Sequence, residues 1–182
     1  MSNKIRYGLS KCYYAVCTEG ASDSWSTPVA LPGAVSLSMD AEGDTNTFYA
    51  DNTSYWTQFS NNGYSGELEV AAIDDDFRKN VLGEVLSREG NLVEYKTATT
   101  NKVALLFQFE GDEKASRHVL YKCSISRPSD EANTSEDSIT PDTTKLSYIA
   151  IPASNGQIKA SAGTAEYDSW LTTAPALQSE AE

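Results

Sequence analysis

Three consecutive carboxylates, Asp74, Asp75 and Asp76, have the spacing that most suggests chemistry, because clustered oxygen ligands can bind a hard cation. Calcium loops, however, place their ligands at alternating positions and need a glycine for the sharp turn, as in D-x-D-x-D-G. The run DDDFRK has neither feature. We therefore predict that Asp74 caps a helix and that Asp75 and Asp76 occupy its first turn, where carboxylates favour the positive end of the helix dipole.

Other arrangements for catalysis or metal binding have little support. His118 is the only histidine, which disfavours a histidine metal site and a Ser-His-Asp triad and favours a polar strand position. Cys12, Cys17 and Cys123 are odd in number and lack C-x-x-C spacing, so reduced, buried thiols are expected. The common phosphate-binding glycine motifs are missing from the sequence. The sequence predicts no enzyme, no metal and no cofactor.

Aromatic residues give a stronger signal, in the long segment Asp40 to Ser65. This segment is rich in Asn, Ser and Thr, yet so many aromatics argue against disorder, and we predict a long extended hairpin loop at about 40–65. Tyr and Trp are enriched at protein interfaces, which favours contacts between subunits; stacking on sugars, as in a carbohydrate- or receptor-binding β-module, is the alternative. The candidate contact residues are Phe48, Tyr49, Tyr55, Trp56, Phe59 and Tyr64.

Composition narrows the class of protein. The 182 residues, 40% of them apolar, suit one domain over residues 1–182. The net charge of -12 argues against wrapping nucleic acid, which depends on clustered Lys and Arg. The sequence shows neither the apolar core of a signal peptide nor about 18 consecutive apolar residues of a membrane span. A soluble protein made in the cytoplasm, without a membrane partner, is expected.

Most of the chain alternates apolar and polar residues with the period of a half-buried strand, as in GELEVAA and KLSYIAIP. Many short strands between polar turns predict a mainly β fold: a β-sandwich or partly closed barrel of two packed antiparallel sheets. The strand Val103 to Phe109 is apolar on both faces, so a helix or a partner subunit is expected to cover one of them.

One flanking α-helix is predicted at about 75–86. Phe77, Val81 and Leu82 lie on one stripe and should dock the helix on the sheet, while Gly83 suggests a break or a cap. Two segments carry almost no core pattern: a flexible acidic loop at about 128–143 and a loose C-terminal tail at about 172–182 are expected.

The ordered set of these pieces resembles the major tail protein, or tail tube protein, of long non-contractile-tailed bacteriophages of the siphovirus type. The resemblance covers nearly the whole chain, and its specificity lies in the order of the pieces. They are YGLSKCYYAV, STPVALPGAVSLSMDAEGD, FYADN, NNGYSGELEVAAIDDDFRKNVLGE, ALLFQFEGDEKASRHVLYKCSISRP, SEDSITPDTTKLSYIA and YDSW.

The resemblance implies a structural virion protein of the phage tail, assembled in the host cytoplasm. Subunits of this family form hexameric rings that stack into a tube, the conduit for genome delivery, and the segment at 40–65 corresponds to the loop that reaches a neighbouring subunit or ring. Tape-measure, tail terminator and distal tail proteins are the implied partners. DNA passes through the lumen without specific binding, and the charge of -12 suggests a lumen that repels it.

Overall fold

A computed structural model describes residues 4–128, 141–163 and 165–179. Most of the predicted acidic loop at 128–143 lies outside these residues. The described residues form one helix and fourteen strands. These are β1 Arg6–Thr18, β2 Ser24–Trp25, β3 Val29–Ala30, β4 Ala34–Leu37, β5 Asp40–Glu42, β6 Thr45–Ala50, β7 Thr53–Phe59, β8 Gly63–Val70, α1 Asp75–Asn80, β9 Val85–Leu86, β10 Leu92–Val93, β11 Val103–Gly111, β12 Ser116–Ile125, β13 Thr144–Ile151 and β14 Lys159–Ser161.

Ten of the strands form one antiparallel sheet in the order β2-β1-β11-β12-β13-β8-β4, with β3 on β1, β14 on β12 and β5 on β8. Strand β4, at one end of this order, also contacts β1 near the other end, so the sheet curls towards closure. The strands β6–β7 and β9–β10 form two small separate sheets. The predicted mainly β, partly closed fold with one flanking helix is confirmed, with the qualification that its layers are parts of one curved sheet.

Alternation along the strands fills the inside of this curved sheet. In β13, Leu146, Tyr148 and Ala150 are buried, while Lys145 and Ser147, which alternate with them, are exposed. A strand's side chains point to opposite faces in turn, so the polar positions remain outside without interrupting the core. The inner core contains Cys12, Tyr14, Leu31, Leu68, Val70, Phe77, Val81, Leu82, Val103, Leu105, Phe107, Leu120, Cys123, Ile125, Leu146, Tyr148 and Ala150.

The central strand β11 is covered on both faces, as its sequence predicts. Leu105 and Phe107 face the inner core, whereas Ala104 and Leu106 belong to a second cluster on the outer face. The predicted cover was a helix or a partner subunit. The outer cover is instead the chain's own C-terminal segment, residues 165–179, whose Trp170, Leu171 and Leu177 pack in the second cluster with Trp25 and Tyr121.

The C-terminal segment is attached to the sheet, so the prediction of a loose tail is wrong for residues 172–179. The Tyr121 hydroxyl donates a 3.1 Å hydrogen bond to the Ala176 carbonyl. The backbone N–H of Gln178 donates to Gln157 Oε1 at 2.9 Å. Residues 180–182 of the predicted tail lie outside the described part of the chain.

The helix α1 confirms the predicted cap and corrects the predicted length. Asp74 Oδ1 accepts a 2.7 Å hydrogen bond from the Phe77 N–H, one of the donors that a helix leaves without an internal partner. The helix ends at Asn80 rather than near residue 86, because Gly83 has a φ of +77°, which a helix cannot continue. Phe77, Val81 and Leu82 are all buried, as predicted, although Val81 and Leu82 follow the helix. The Phe77 ring packs edge-on against Tyr14 with centroids 5.1 Å apart.

The three cysteines are free and buried, which confirms the predicted reduced thiols. Burial raises the pKa of the Cys12 thiol to about 12, an effect that a backbone hydrogen bond only partly offsets. A thiol that stays protonated is a poor nucleophile and a poor metal ligand. In the described part of the chain no helix is long and apolar enough to cross a membrane.

Candidate functional site

The segment predicted to be an extended hairpin contains a two-stranded ribbon, β6 paired with β7, which we call the aromatic hairpin (residues 45–59). Its tip is the pair Asp51 and Asn52, with φ values of 51° and 61°. Positive φ at both central residues is the requirement of a type I′ turn, the tight turn whose twist matches that of the strands, and apart from glycine Asn and Asp tolerate it best. At six residues β6 is about 20 Å long.

The base of the hairpin is fixed by a short network. The backbone N–H of Ser60 donates to the Asp44 carbonyl at 2.9 Å, and the Asp44 N–H donates to Ser60 Oγ at 2.7 Å. Gly43 lies against this network: a Cβ there would sit 2.0 Å from the Ser60 carbonyl oxygen, so only glycine fits. The Asn62 N–H then donates to the Glu42 carbonyl at 2.8 Å and continues the ribbon into the β5–β8 ladder.

Strand register sorts the aromatic side chains between the two faces of the ribbon. Phe48 pairs with Trp56 on one face, whereas Tyr49, the next residue along β6, pairs with Ser54 and so lies on the other. Phe59 pairs with Thr45, three pairs beyond Phe48–Trp56, so it lies on the same face as Tyr49. Tyr55 is the extra residue of a β-bulge between these pairs. We call the Phe48–Trp56 side the first face and the Tyr49–Phe59 side the second face.

Five of the six predicted contact residues are exposed on this hairpin. The exposed fractions are 60% for Phe48, 68% for Tyr49, 74% for Tyr55, 50% for Trp56 and 77% for Phe59. With about 200 Å² per aromatic side chain, they leave on the order of 700 Å² in water, divided between the two faces of the ribbon. Exposed Tyr, Trp and Phe side chains are the residue types that are enriched at protein interfaces.

The sixth residue, Tyr64, belongs to a different environment. It is half-buried in β8 and packs against the inner core. The Lys159 ammonium lies 4.7 Å from the centre of its ring, in a cation–π contact. The prediction that Tyr64 joins the contact surface is not supported by this placement, because its ring already has partners within the chain.

The aromatic hairpin carries almost no charge. Its residues TNTFYADNTSYWTQF include Asp51 and no lysine or arginine. Such a surface offers no cation to a phosphate or carboxylate ligand, and the net charge of -12 lies on other parts of the chain. Apolar and aromatic contact is the interaction that this hairpin can make.

A second surface is charged, and we call it the acidic sheet face. It is the outer side of β5, β8 and β13, where four carboxylates lie with one ammonium group. Glu67 contacts Lys145 at 3.7 Å, and Ser65 donates a hydrogen bond to Glu42. The residues of this face are Asp40, Glu42, Ser65, Glu67, Glu69, Lys145, Ser147 and Ile149.

Glu69 is the most strongly held carboxylate of the acidic sheet face. Thr143 Oγ1 donates to its Oε1 at 2.6 Å, and Ser36 Oγ donates to its Oε2 at 2.9 Å. These two hydrogen bonds lower the pKa of Glu69 below its ordinary value. The sequence signal for this face was the alternation in GELEVAA, which placed Leu68 and Val70 in the core and left Glu67 and Glu69 on the opposite side.

The three consecutive aspartates lie at the start of the helix α1. Asp74 caps the helix, and Asp76 Oδ1 accepts a 2.6 Å bond from Lys79, which lies one turn further along. The described residues contain no group of three potential ligands placed to hold a metal ion. The interpretation of this run as the start of a helix is therefore supported by the contacts of Asp74 and Asp76.

His118 lies in β12, as predicted, and is largely packed in apolar surroundings. Its ring stacks on Phe107 with centroids 5.5 Å apart, and its Nδ1 lies 2.8 Å from Ser161 Oγ. Burial, followed by the positive charges of Arg6 and Lys159, lowers the pKa of His118. No local sequence pattern predicts the contact with Ser161, which is 43 residues away. A nucleophilic triad also needs a carboxylate on the second ring nitrogen, and the buried Nε2 has no hydrogen-bond partner within the described residues.

The geometry thus brings together an exposed aromatic hairpin and a neighbouring acidic sheet face, joined through β5 and β8. Among the residues that the structure describes, it does not bring together a nucleophile, a base and an orienting group. Comparison of the chain with models of known protein families and with curated proteins finds no match.

Proposed function

We propose that this protein is a structural subunit that assembles with copies of itself, and that the aromatic hairpin makes the contacts. The observation that carries the proposal is the exposure of five aromatic side chains on a ribbon that the described residues leave uncovered. A two-stranded hairpin is marginally stable in water by itself. Burial of its aromatic surface against a partner would lower the free energy of the complex. The hairpin's near neutrality lets it approach another acidic copy without strong repulsion.

The resemblance of the sequence to tail tube proteins suggests the form of this assembly. We propose stacked hexameric rings that make the tail tube of a siphovirus-type bacteriophage, assembled in the host cytoplasm and carried in the virion tail. Tape-measure, tail terminator and distal tail proteins are the proposed partners. The curled β sheet and the long extended hairpin are both features that the resemblance implies for such a subunit.

The acidic sheet face suggests how such a tube would conduct DNA. We propose that it lines the lumen, where its four carboxylates outnumber the one ammonium group of Lys145. A negative wall repels the phosphate backbone, so DNA slides without being held, whereas clustered lysines would bind it. Tubes built with Glu67→Lys and Glu69→Lys should retain short duplex DNA on sedimentation, and tubes built with Glu89→Lys, in an exposed turn outside this face, should not. Equal retention of DNA by both kinds of tube would show that the acidic sheet face does not line the lumen.

No catalytic step belongs to this proposal. The thiols are buried, the aspartates of the run 74–76 include a helix cap and an ion-pair partner, and the His118 ring contacts Ser161. Strand pairing and hairpin docking between copies are the activity.

Electron microscopy of the purified full-length chain tests the proposal. Negatively stained samples over a range of concentrations should contain rings or hollow tubes, with light scattering rising above a critical concentration. Monomers that persist at the highest concentration, with and without the tail partners, would refute self-assembly.

The alternative is a carbohydrate- or receptor-binding β-module. Trp56 and Phe48 favour it, because they present exposed aromatic side chains side by side, and such platforms can stack on sugar rings. A glycan array separates the two functions: a monomer that binds one glycan class, and loses binding in Trp56→Ala, would support the module and count against the tube.

A further inference from the structure

The aromatic hairpin is exposed on both of its faces. Phe48 and Trp56 stand on the first face, and Tyr49 and Phe59 stand on the second. Each of these four side chains leaves half or more of its surface in water. An ordinary half-buried hairpin has one apolar and one polar face, and this one does not follow that pattern.

The two faces also differ in chemistry. The first face presents Phe48 and Trp56 as one compact cross-strand pair in the middle of the ribbon. On the second face, Tyr49 lies towards the tip and Phe59 at the base, with Thr47 and Thr57 paired between them. Their hydroxyl oxygens are 3.5 Å apart. The first face therefore suits one apolar pocket, while the second suits a longer surface with hydrogen-bonding groups in its centre.

A flat partner surface could cover only one of these faces. The other face would then keep on the order of 250 Å² of aromatic surface in water. Burial of both faces is the arrangement that accounts for the positions of all four aromatic residues.

We propose that the aromatic hairpin of one copy inserts between two other copies of this chain, with one copy on each face. The inference rests on the proposed self-assembly and adds the number of neighbours that each hairpin joins. Copies of this chain fit as occupants because the hairpin carries one charged residue in fifteen, so it can enter a junction between two strongly acidic bodies. A hairpin buried on both faces would contact two neighbouring copies and so link them to each other.

Photocrosslinking in mixed assemblies tests this directly. A photoreactive phenylalanine analogue is placed at Tyr49 and Trp56, on opposite faces, and the labelled chain is diluted into a large excess of unlabelled chain before assembly. The matched control carries the analogue at Phe48 and Trp56, on the same face. After irradiation, denaturing electrophoresis reports how many unlabelled copies each labelled chain has captured.

The opposite-face label should give covalent trimers, while the same-face label should give dimers. Dimers alone from both labels, in samples that microscopy shows to be assembled, would overturn the two-neighbour arrangement and leave self-assembly intact. If microscopy of the unlabelled chain shows no assembly at all, the proposed function fails and this inference fails with it.

Discussion

Phe48 and Trp56 are cross-strand partners on β6 and β7, and both remain half or more exposed. Aromatic cross-strand pairs usually stabilise a sheet on its buried side. Here the pair stands on a ribbon that residues 4–128, 141–163 and 165–179 leave exposed, so burying the pair would stabilise a complex more than it stabilises the monomer. This relationship separates residues that fold the chain from residues that we expect to assemble it.

Trp56→Ser should leave folding intact and impair assembly. Because Trp56 is exposed, the free energy of unfolding should change by less than about 0.5 kcal/mol. Loss of an aromatic anchor at an interface costs roughly 2 kcal/mol, so the critical concentration for assembly should rise at least about tenfold. Urea unfolding and light scattering measure the two quantities. Tyr95→Ser is the control, since Tyr95 is similarly exposed at 55% but lies outside the hairpin; equal losses in both variants would argue against a special role for Trp56.

Asp74→Ala should destabilise the fold by about 0.5 to 2 kcal/mol, because it leaves the Phe77 N–H without the side-chain acceptor that it has at 2.7 Å. Asp75→Ala is the comparison, since Asp75 lies in the first turn but does not cap the helix. Chemical denaturation measures both variants. A loss no larger for Asp74 than for Asp75 would show that the cap contributes little.

Added calcium or magnesium should leave the melting temperature of the wild type unchanged, because the aspartates of the run 74–76 are not expected to bind a metal ion.

Gly83→Ala should destabilise the fold more than Gly90→Ala does. Both glycines have positive φ, +77° and +86°, so an alanine pays about 1 to 2 kcal/mol of backbone strain at either position. At Gly83 the new Cβ would also lie 2.5 Å from the Thr99 carbonyl oxygen, whereas at Gly90 nothing lies within 4 Å. The difference between the two unfolding free energies therefore measures the close approach of Thr99. Equal losses would mean that this segment shifts at little cost.

His118 should make the fold less stable as the pH falls below about 6.5. Its pKa is lowered in the folded state by burial and by the charges of Arg6 and Lys159, so the unfolded chain binds more protons between the folded and unfolded pKa values. Stability is therefore full above the unfolded pKa and declines as the pH falls towards the folded one. Urea unfolding at pH values from about 8 to 5.5 should show this decline in the wild type and a flatter profile in His118→Gln. An unchanged profile in the variant would exclude His118 as its cause.

The carboxylate of Asp23 should change the stability of the fold at a lower pH than His118 does. Burial alone would raise the pKa of Asp23, but hydrogen bonds from Ser154 and Lys122 outweigh it and lower the pKa. Asp23 therefore loses its contribution only as the pH falls below about 4. His118 is the only histidine of the chain, so a change between these ranges has one candidate side chain.

Local sequence patterns predicted the parts of the fold that depend on alternation and capping. The burial of Phe77, Val81 and Leu82, the cap at Asp74 and the exposed aromatic hairpin all followed from neighbouring residues. The end of the helix did not, because an apolar stripe continues through Val85. The left-handed backbone at Gly83 interrupts the helix, and Val85 joins the separate strand β9.

Long-range packing set the features that the sequence did not predict. Residues 172–179 look polar and short, but Tyr121 and Gln157, distant in sequence, hold them on the sheet. Tyr64 resembled its aromatic neighbours, yet the β8 register turns it to the inner core. The two-faced arrangement of the hairpin follows from alternation, because Phe48 and Tyr49 are adjacent in β6, whereas alternation does not show the bulge at Tyr55 that changes the pairing register.

Removing the aromatic hairpin tests the central claim most directly. Residues 45–59 can be replaced by Asn-Gly, because Asp44 and Ser60 are already joined by hydrogen bonds of 2.9 and 2.7 Å at the base. A variant that only replaces the tip, Asp51 and Asn52, by Asn-Gly keeps the ribbon and is the control. Under negative stain, the wild type and the tip variant should form rings or tubes, while the shortened chain, folded by circular dichroism, should remain monomeric. Normal tubes from the shortened chain would contradict the account and move the interface elsewhere.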